Sequence, residues 1–187
     1  MDEKAEVATP NCPWEIQTIT DDDFAFRQVP VNLRETHRTR KIPTESSFAL
    51  RPNEDSLSFN LKAIIIDVSK NFKLMSITHT SSGKFVEVTA FKIFEFQINF
   101  LKTIGKFEAI THTPQFHGAP SPIGKPNNKS HLSLFCGEFN EGSRVQLKEY
   151  CMENDCECQF DINSIREEIA ELRARSNDTP YHNYWEF

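Results

Sequence analysis

The stretch from Val86 to Ile104 is the most apolar in the chain, and it sets the terms for everything around it. Phe91, Phe94, Ile98 and Leu101 fall on one helical stripe, and Ile93, Phe96, Phe100 and Ile104 on a second. Two apolar stripes predict a helix buried on two faces. The same density of aromatic and β-branched residues also suits paired strands. Either way the segment needs apolar cover on both sides, and sixteen phenylalanines in 187 residues provide it. A chain this rich in large apolar side chains is not a disordered one. Domains run to about 100–200 residues, so one domain with tails is the expectation.

The rest of the chain reads as a mixed α+β domain: a central antiparallel or mixed sheet, a C-terminal helix and an aromatic tail. Residues 1–13, with charge and prolines, form a flexible lead-in, and Trp14, Ile16 and Ile19 begin the fold. The mixed domain is expected over 14–160, the helix over 161–176 and the tail over 177–187. Phe24 and Phe26 alternate with Ala25 and Arg27 as a strand does. Ser46 to Leu50 predicts a short strand, and Leu57, Phe59 and Leu61 a second. Ala63 to Leu74 carries Ile64, Ile65, Val68 and Phe72 at helical spacing and is read as a helix, with Lys73 to Thr80 as a strand after it. Phe107 to Thr111 and the run Leu132, Leu134, Cys136 complete the strands; a proline-containing loop over 112–129 separates them. Arg144 to Met152 is a helix candidate. Ile162, Ile165, Ile169 and Leu172 form the apolar stripe of the C-terminal helix, which Asp161 or Asn163 can cap.

Charge narrows the range of partners. The chain carries 27 acidic and 21 basic side chains, net −6, so nonspecific binding to a phosphate backbone is disfavoured. The exception is local: Arg34, His37, Arg38, Arg40 and Lys41 crowd one segment. It reads first as a solvated loop, and Arg34, Arg38, Arg40 and Lys41 are the one place where nucleic acid could be held. The N-terminus lacks the apolar run of a secretory signal, and no stretch approaches the ~20 apolar residues that span a bilayer. Five cysteines with no extracellular spacing fit a reducing compartment. A cytoplasmic protein without membrane contact is the expectation.

Candidate chemistry is sparse. Nucleotide-cradling glycine motifs, a serine nucleophile elbow and H-E-x-x-H are all absent from the sequence. Cys151, Cys156 and Cys158 are spaced unlike the paired cysteines of structural zinc sites, so free thiols are expected and no metal or cofactor is assigned. His112, His117 and His131 lie close in sequence and could form a site, since imidazole serves as acid, base or ligand; the plainer reading places them at strand ends and in a loop. One constellation remains: Arg27 on an early strand, Ser47 about twenty residues later, Asp55-Ser56-Leu57-Ser58 next, and His131 on a late strand. An Arg, a Ser and a late polar residue on successive strands resembles the layout of ADP-ribosyl-transferring folds. That resemblance implies an Arg holding phosphate or ribose, a Ser steadying the site and a Glu or His, here His131, orienting the ribose.

A second resemblance rests on four short motifs in order: Phe26-Arg27; Pro43 through Ser47-Phe48; Asp55-Ser56-Leu57-Ser58-Phe59; and Pro126-Asn127-Asn128-Lys129-Ser130-His131. Over roughly residues 24–151 the chain is similar to a family of small bacterial proteins with no established activity. That family looks like accessory genes of conflict or anti-phage defence clusters, which implies a protein partner. The Phe-rich middle and the aromatic tail depart from its pattern.

Two functions therefore stand as expectations. The first is a non-enzymatic accessory or adaptor subunit of a bacterial multi-protein system, docking a partner partly through Tyr181, Tyr184, Trp185 and Phe187, because aromatic density in a terminal tail is costly in water. The second is an ADP-ribosyltransferase-like enzyme acting on a nucleotide or nucleic-acid end, with Arg27, Ser47 and His131 as its pocket. A third idea, a metal held by His112, His117 and His131, follows from the histidines alone.

Overall fold

The computed structural model describes residues 12–31, 43–50, 54–80, 82–104, 107–116, 126–136 and 140–178. Five strands form one antiparallel sheet in the order β3-β1-β2-β5-β4. They are β1 (Phe24–Pro30), β2 (Ser56–Leu61), β3 (Phe91–Gln97), β4 (Phe107–His112) and β5 (His131–Cys136). The α+β class read from the sequence is the one observed.

Both faces of the sheet are buried, and β1 shows why. Its odd residues Ala25 and Val29 enter one apolar cluster with Phe48, Leu57, Phe59, Phe94, Phe96 and Leu147. Its even residue Phe26 enters a second, with Ile65, Phe72, Met75, Ile93, Ile165 and Ile169. The first cluster is covered by α3 (Ile98–Thr103), α4 (Glu141–Glu153) and the 3-10 turn Glu45–Phe48. The second is covered by α2 (Val68–Ser76) and the C-terminal helix, a 3-10 turn Ile162–Ile165 running into α5 (Arg166–Asp178). Asp161 caps that entry through the Asn163 amide. Arg173 ties α5 down, its Nε and Nη2 donating to the Ser76 and Val86 carbonyls at 2.9 and 2.7 Å.

Three local expectations change. Phe91–Gln97 is a strand, and only Ile98–Thr103 is helical. Seven residues of β3 pair with β1 from Phe24↔Gln97 to Pro30↔Phe91, and the alternation of Ile93 against Phe94 and Phe96 feeds opposite clusters, a period of two rather than 3.6. The outer edge of β3 is closed by Cys156 and Cys158, whose backbones bond Glu95 and Ile93, and by the Lys92–Glu157 ion pair; an uncovered edge would invite pairing with another chain. Ser46 to Leu50 is a turn and not a strand, held by Phe48 packing edge-on against Phe96. The expected strand over Lys73 to Thr80 is helix in its first half, because α2 runs to Ser76 with Phe72 and Met75 one turn apart on its buried face. A helix does occupy the preceding segment, but in two pieces. α1 (Lys62–Ile65) ends at Ile66, which is 62 % exposed and has φ 67°, and Asp67 caps α2. No helix among the described residues is long and apolar enough to cross a membrane.

Candidate functional site

The sheet is open in the middle. β1 and β2 are in register only at Ala25↔Leu61 and Phe26↔Asn60. Continuing that register would set Gln28 against Ser58. Instead the Arg27 side chain occupies the gap: its Nη1 donates to the Ser58 carbonyl at 2.6 Å and its Nη2 to the Ser47 carbonyl at 2.9 Å. The guanidinium lies 5.5 Å from the centre of the Phe59 ring, in cation–π range. Arg27 thus wedges β1, β2 and the Glu45–Phe48 turn at a fixed spacing.

A cavity of about 860 Å³ opens at this gap, lined from both sides of the sheet. Arg27, Ser47 and Leu57 come from one side, and Ser58, Asn60 and His131 from the other. The three residues singled out in the sequence therefore border one space, and Ser58 links them. Arg27 holds its carbonyl, and His131 faces its hydroxyl with Nε2–Oγ at 3.1 Å. Ser47 contributes its carbonyl to Arg27 and so helps to position the guanidinium.

His131 is fixed by chemistry as well as by space. Its Nδ1 lies 3.0 Å from the Thr113 carbonyl, which only accepts, so Nδ1 carries the proton and Nε2 is left as an acceptor for the Ser58 hydroxyl. Thr113 Oγ1 stands 2.9 Å from the same Nδ1 and 2.7 Å from Ser133 Oγ. Burial pushes the His131 imidazole down to about 4, with His112 nearby adding to the shift. The ring is neutral at physiological pH.

Behind Ser58 lies a buried amide network that accounts for the Pro126 to His131 motif. Asn60 Nδ2 donates to Asn71 Oδ1 at 2.8 Å, and Asn128 Nδ2 donates to Asn60 Oδ1 at 2.9 Å. The Ser130 hydroxyl has one proton to share between Asn60 Oδ1 and Asn128 Oδ1, at 3.2 and 2.9 Å. Asn128 also exchanges two backbone bonds with Gln115. These contacts tie α2, β2 and the segment entering β5 into one polar body along the cavity wall.

The histidine-metal idea does not survive the geometry. His112 is fully buried and spans two backbones: Nδ1 accepts from the Gln17 amide at 2.9 Å, and Nε2 donates to the Lys129 carbonyl at 2.6 Å. Neither nitrogen is left for a metal. His117 lies outside the described residues, and among those described no three His, Cys, Asp or Glu side chains are placed to hold an ion. Cys151, Cys156 and Cys158 are free thiols. Burial raises Cys151 and pushes Cys158 up to about 12. The basic residues Arg34, Arg38, Arg40 and Lys41 and the tail residues Tyr181, Tyr184, Trp185 and Phe187 also lie outside the described residues.

The sequence puts Ser47 in the candidate pocket and offers Ser58 only as part of the Asp55-Ser56-Leu57-Ser58 motif, with no role of its own. The signal for Ser58 was its alternation with Leu57 and Phe59, which puts it on the face opposite the cluster those two residues enter. No family model, curated protein or solved structure matches this chain.

Proposed function

We propose that the protein binds a small nucleotide-class ligand, polyhydroxylated and carrying an anionic group, in the cavity at the β1–β2 gap, with Arg27, Ser47 and His131 in its wall. The observation behind this reading is that three residues from distant segments border one space of about 860 Å³, within the range of about 300–1,000 Å³ typical of ligand sites. Hydroxyls and amides of Gln28, Ser56, Ser58 and Gln115 suit ribose hydroxyls and base edges, and Phe91 and Met75 offer apolar patches. Arg27 is the cation among the described lining residues and Glu54 the carboxylate; with Nη1 and Nη2 held by the Ser58 and Ser47 carbonyls, Arg27 offers an anionic group its positive charge and not an open fork. The net charge of −6 favours a small ligand or a single chain end over a long polyanion.

Isothermal titration calorimetry of the full chain with AMP, ADP-ribose and inorganic phosphate tests this. Saturable binding of at least one nucleotide with Kd between about 1 μM and 1 mM is expected, abolished by Ser58→Trp, which fills the cavity from an exposed position. No heat with any of them, or binding unaltered in the variant, would remove the reading.

The adaptor role is a separate proposal carried by the aromatic tail, with Tyr181, Tyr184, Trp185 and Phe187 in one short terminal stretch. Removing residues 177–187 should leave a folded domain that no longer co-purifies with its partner; retained binding would refute it.

A further inference from the structure

Within that cavity, and resting on its reading as a ligand site, we infer that Ser58 is a nucleophile and His131 its general base, acting on an acyl ester of a polyhydroxylated ligand. Three features of the site carry this. The Ser58 side chain is exposed and lines the cavity, so an incoming substrate can reach it. His131 is 7 % exposed, and its Nε2 lone pair faces the Ser58 hydroxyl at 3.1 Å. The Thr113 carbonyl holds the ring proton on Nδ1 at 3.0 Å, keeping the acceptor nitrogen on the serine side. Nucleophile, base and a group that orients the base are the three parts such a site requires.

The step balances without a cofactor. Ser58 Oγ bonds to the ester carbonyl carbon while its proton passes to His131 Nε2, and the carbonyl oxygen becomes an oxyanion. Collapse expels the alcohol, which takes the proton from Nε2 and leaves an acyl group on Ser58. Water then adds to that acyl carbon, gives its proton to Nε2 and releases the carboxylic acid, and the proton returns to Ser58 Oγ. Arg27, holding the Ser58 carbonyl at 2.6 Å, places a positive charge beside the residue on which the reaction turns. An imidazole as buried as this one is a weak base, so turnover is slow, and acylation is flat above about pH 5 instead of inflecting near pH 6.5 as an ordinary histidine would dictate.

A fluorophosphonate tests the assignment directly on the native 187-residue chain. The serine oxygen displaces fluoride from phosphorus, and His131 takes the proton. The expected result is one adduct, located by peptide mass spectrometry on Ser58, lost in Ser58→Ala and slowed at least about 100-fold in His131→Gln. Ser69→Ala, which alters a serine of α2 outside the cavity lining, should label at the native rate. No adduct, an adduct on another residue, or an unchanged rate in a folded His131→Gln protein would overturn the inference. The wild-type adduct site is read without any variant, so a misfolded mutant does not blunt the test. Nucleotide binding without Ser58 labelling defeats the nucleophile and leaves the ligand site standing. Labelling that no nucleotide slows, with no heat in the calorimeter, defeats the ligand class instead.

Discussion

The Ser58 hydroxyl and the His131 imidazole meet at 3.1 Å although 73 positions separate them in the chain. The register explains it. Asn60 pairs with His131 and Ser58 with Ser133, so Ser58 and His131 are diagonal neighbours on one face of an antiparallel pair, within reach of a long side chain. A slip of one residue in either strand would turn one of them to the opposite face.

His131 makes the fold acid-sensitive in a defined window. Its native value of about 4 lies below the ordinary 6.5. Between those values the unfolded chain binds a proton that the native protein refuses, so stability is complete above pH 6.5 and falls as pH drops toward 4. The full shift corresponds to roughly 3 kcal/mol. Urea titrations at about pH 7 and pH 4.5 should show a clearly smaller acid loss for His131→Gln than for wild type. Equal losses would mean that His131 is already protonated in the native state.

Arg27→Ala should destabilise the domain by about 2–4 kcal/mol, more than a typical surface change of under about 0.5 kcal/mol. It removes charged donors from the Ser47 and Ser58 carbonyls and a cation from the Phe59 ring. Arg27→Lys should recover part of the loss, since one ammonium cannot reproduce the two-pronged geometry. Thermal or chemical unfolding reads this. A loss below about 1 kcal/mol would show that the wedge is dispensable.

Asn60→Ala should cost roughly 2–4 kcal/mol, because it strands the partner groups on Asn71 and Asn128 in a buried setting. Asn60→Asp should be equally damaging: its second oxygen cannot donate to Asn71. Measured losses near zero would mean that water replaces the missing amide.

How much of this was legible in advance depends on the element. The C-terminal helix was, because Ile165, Ile169 and Leu172 repeat at helical spacing and Asp161 caps the first turn. The stretch after Phe91 was not, because on a sheet covered on both faces Phe91, Ile93, Phe94 and Phe96 are all apolar, and such a run fits a buried helix as well as a strand. Arg27, Ser47 and His131 were legible as polar residues on or near successive strands, and they do border one cavity. Their partners were not. That Arg27 bonds backbone carbonyls, and that Ser58 stands between it and His131, follows from where β1 and β2 part, which no local pattern encodes.

The cysteines should be sluggish. With Cys151 raised and Cys158 pushed up to about 12 by burial, little thiolate exists at neutral pH. Iodoacetamide at about pH 7.5 should leave both unmodified in the native protein while alkylating them on unfolding, as mass spectrometry would show. Rapid native modification of either would contradict the burial.

The most direct test of the central claim is a 1H–15N correlation spectrum of the full chain titrated with ADP-ribose and AMP. Binding at the β1–β2 gap should shift the Arg27, Ser58, Asn128 and His131 amides along one saturable curve, and leave Ile169 and Leu172 on the C-terminal helix unmoved. A spectrum unchanged at millimolar ligand, or shifts confined to residues away from the gap, would contradict it.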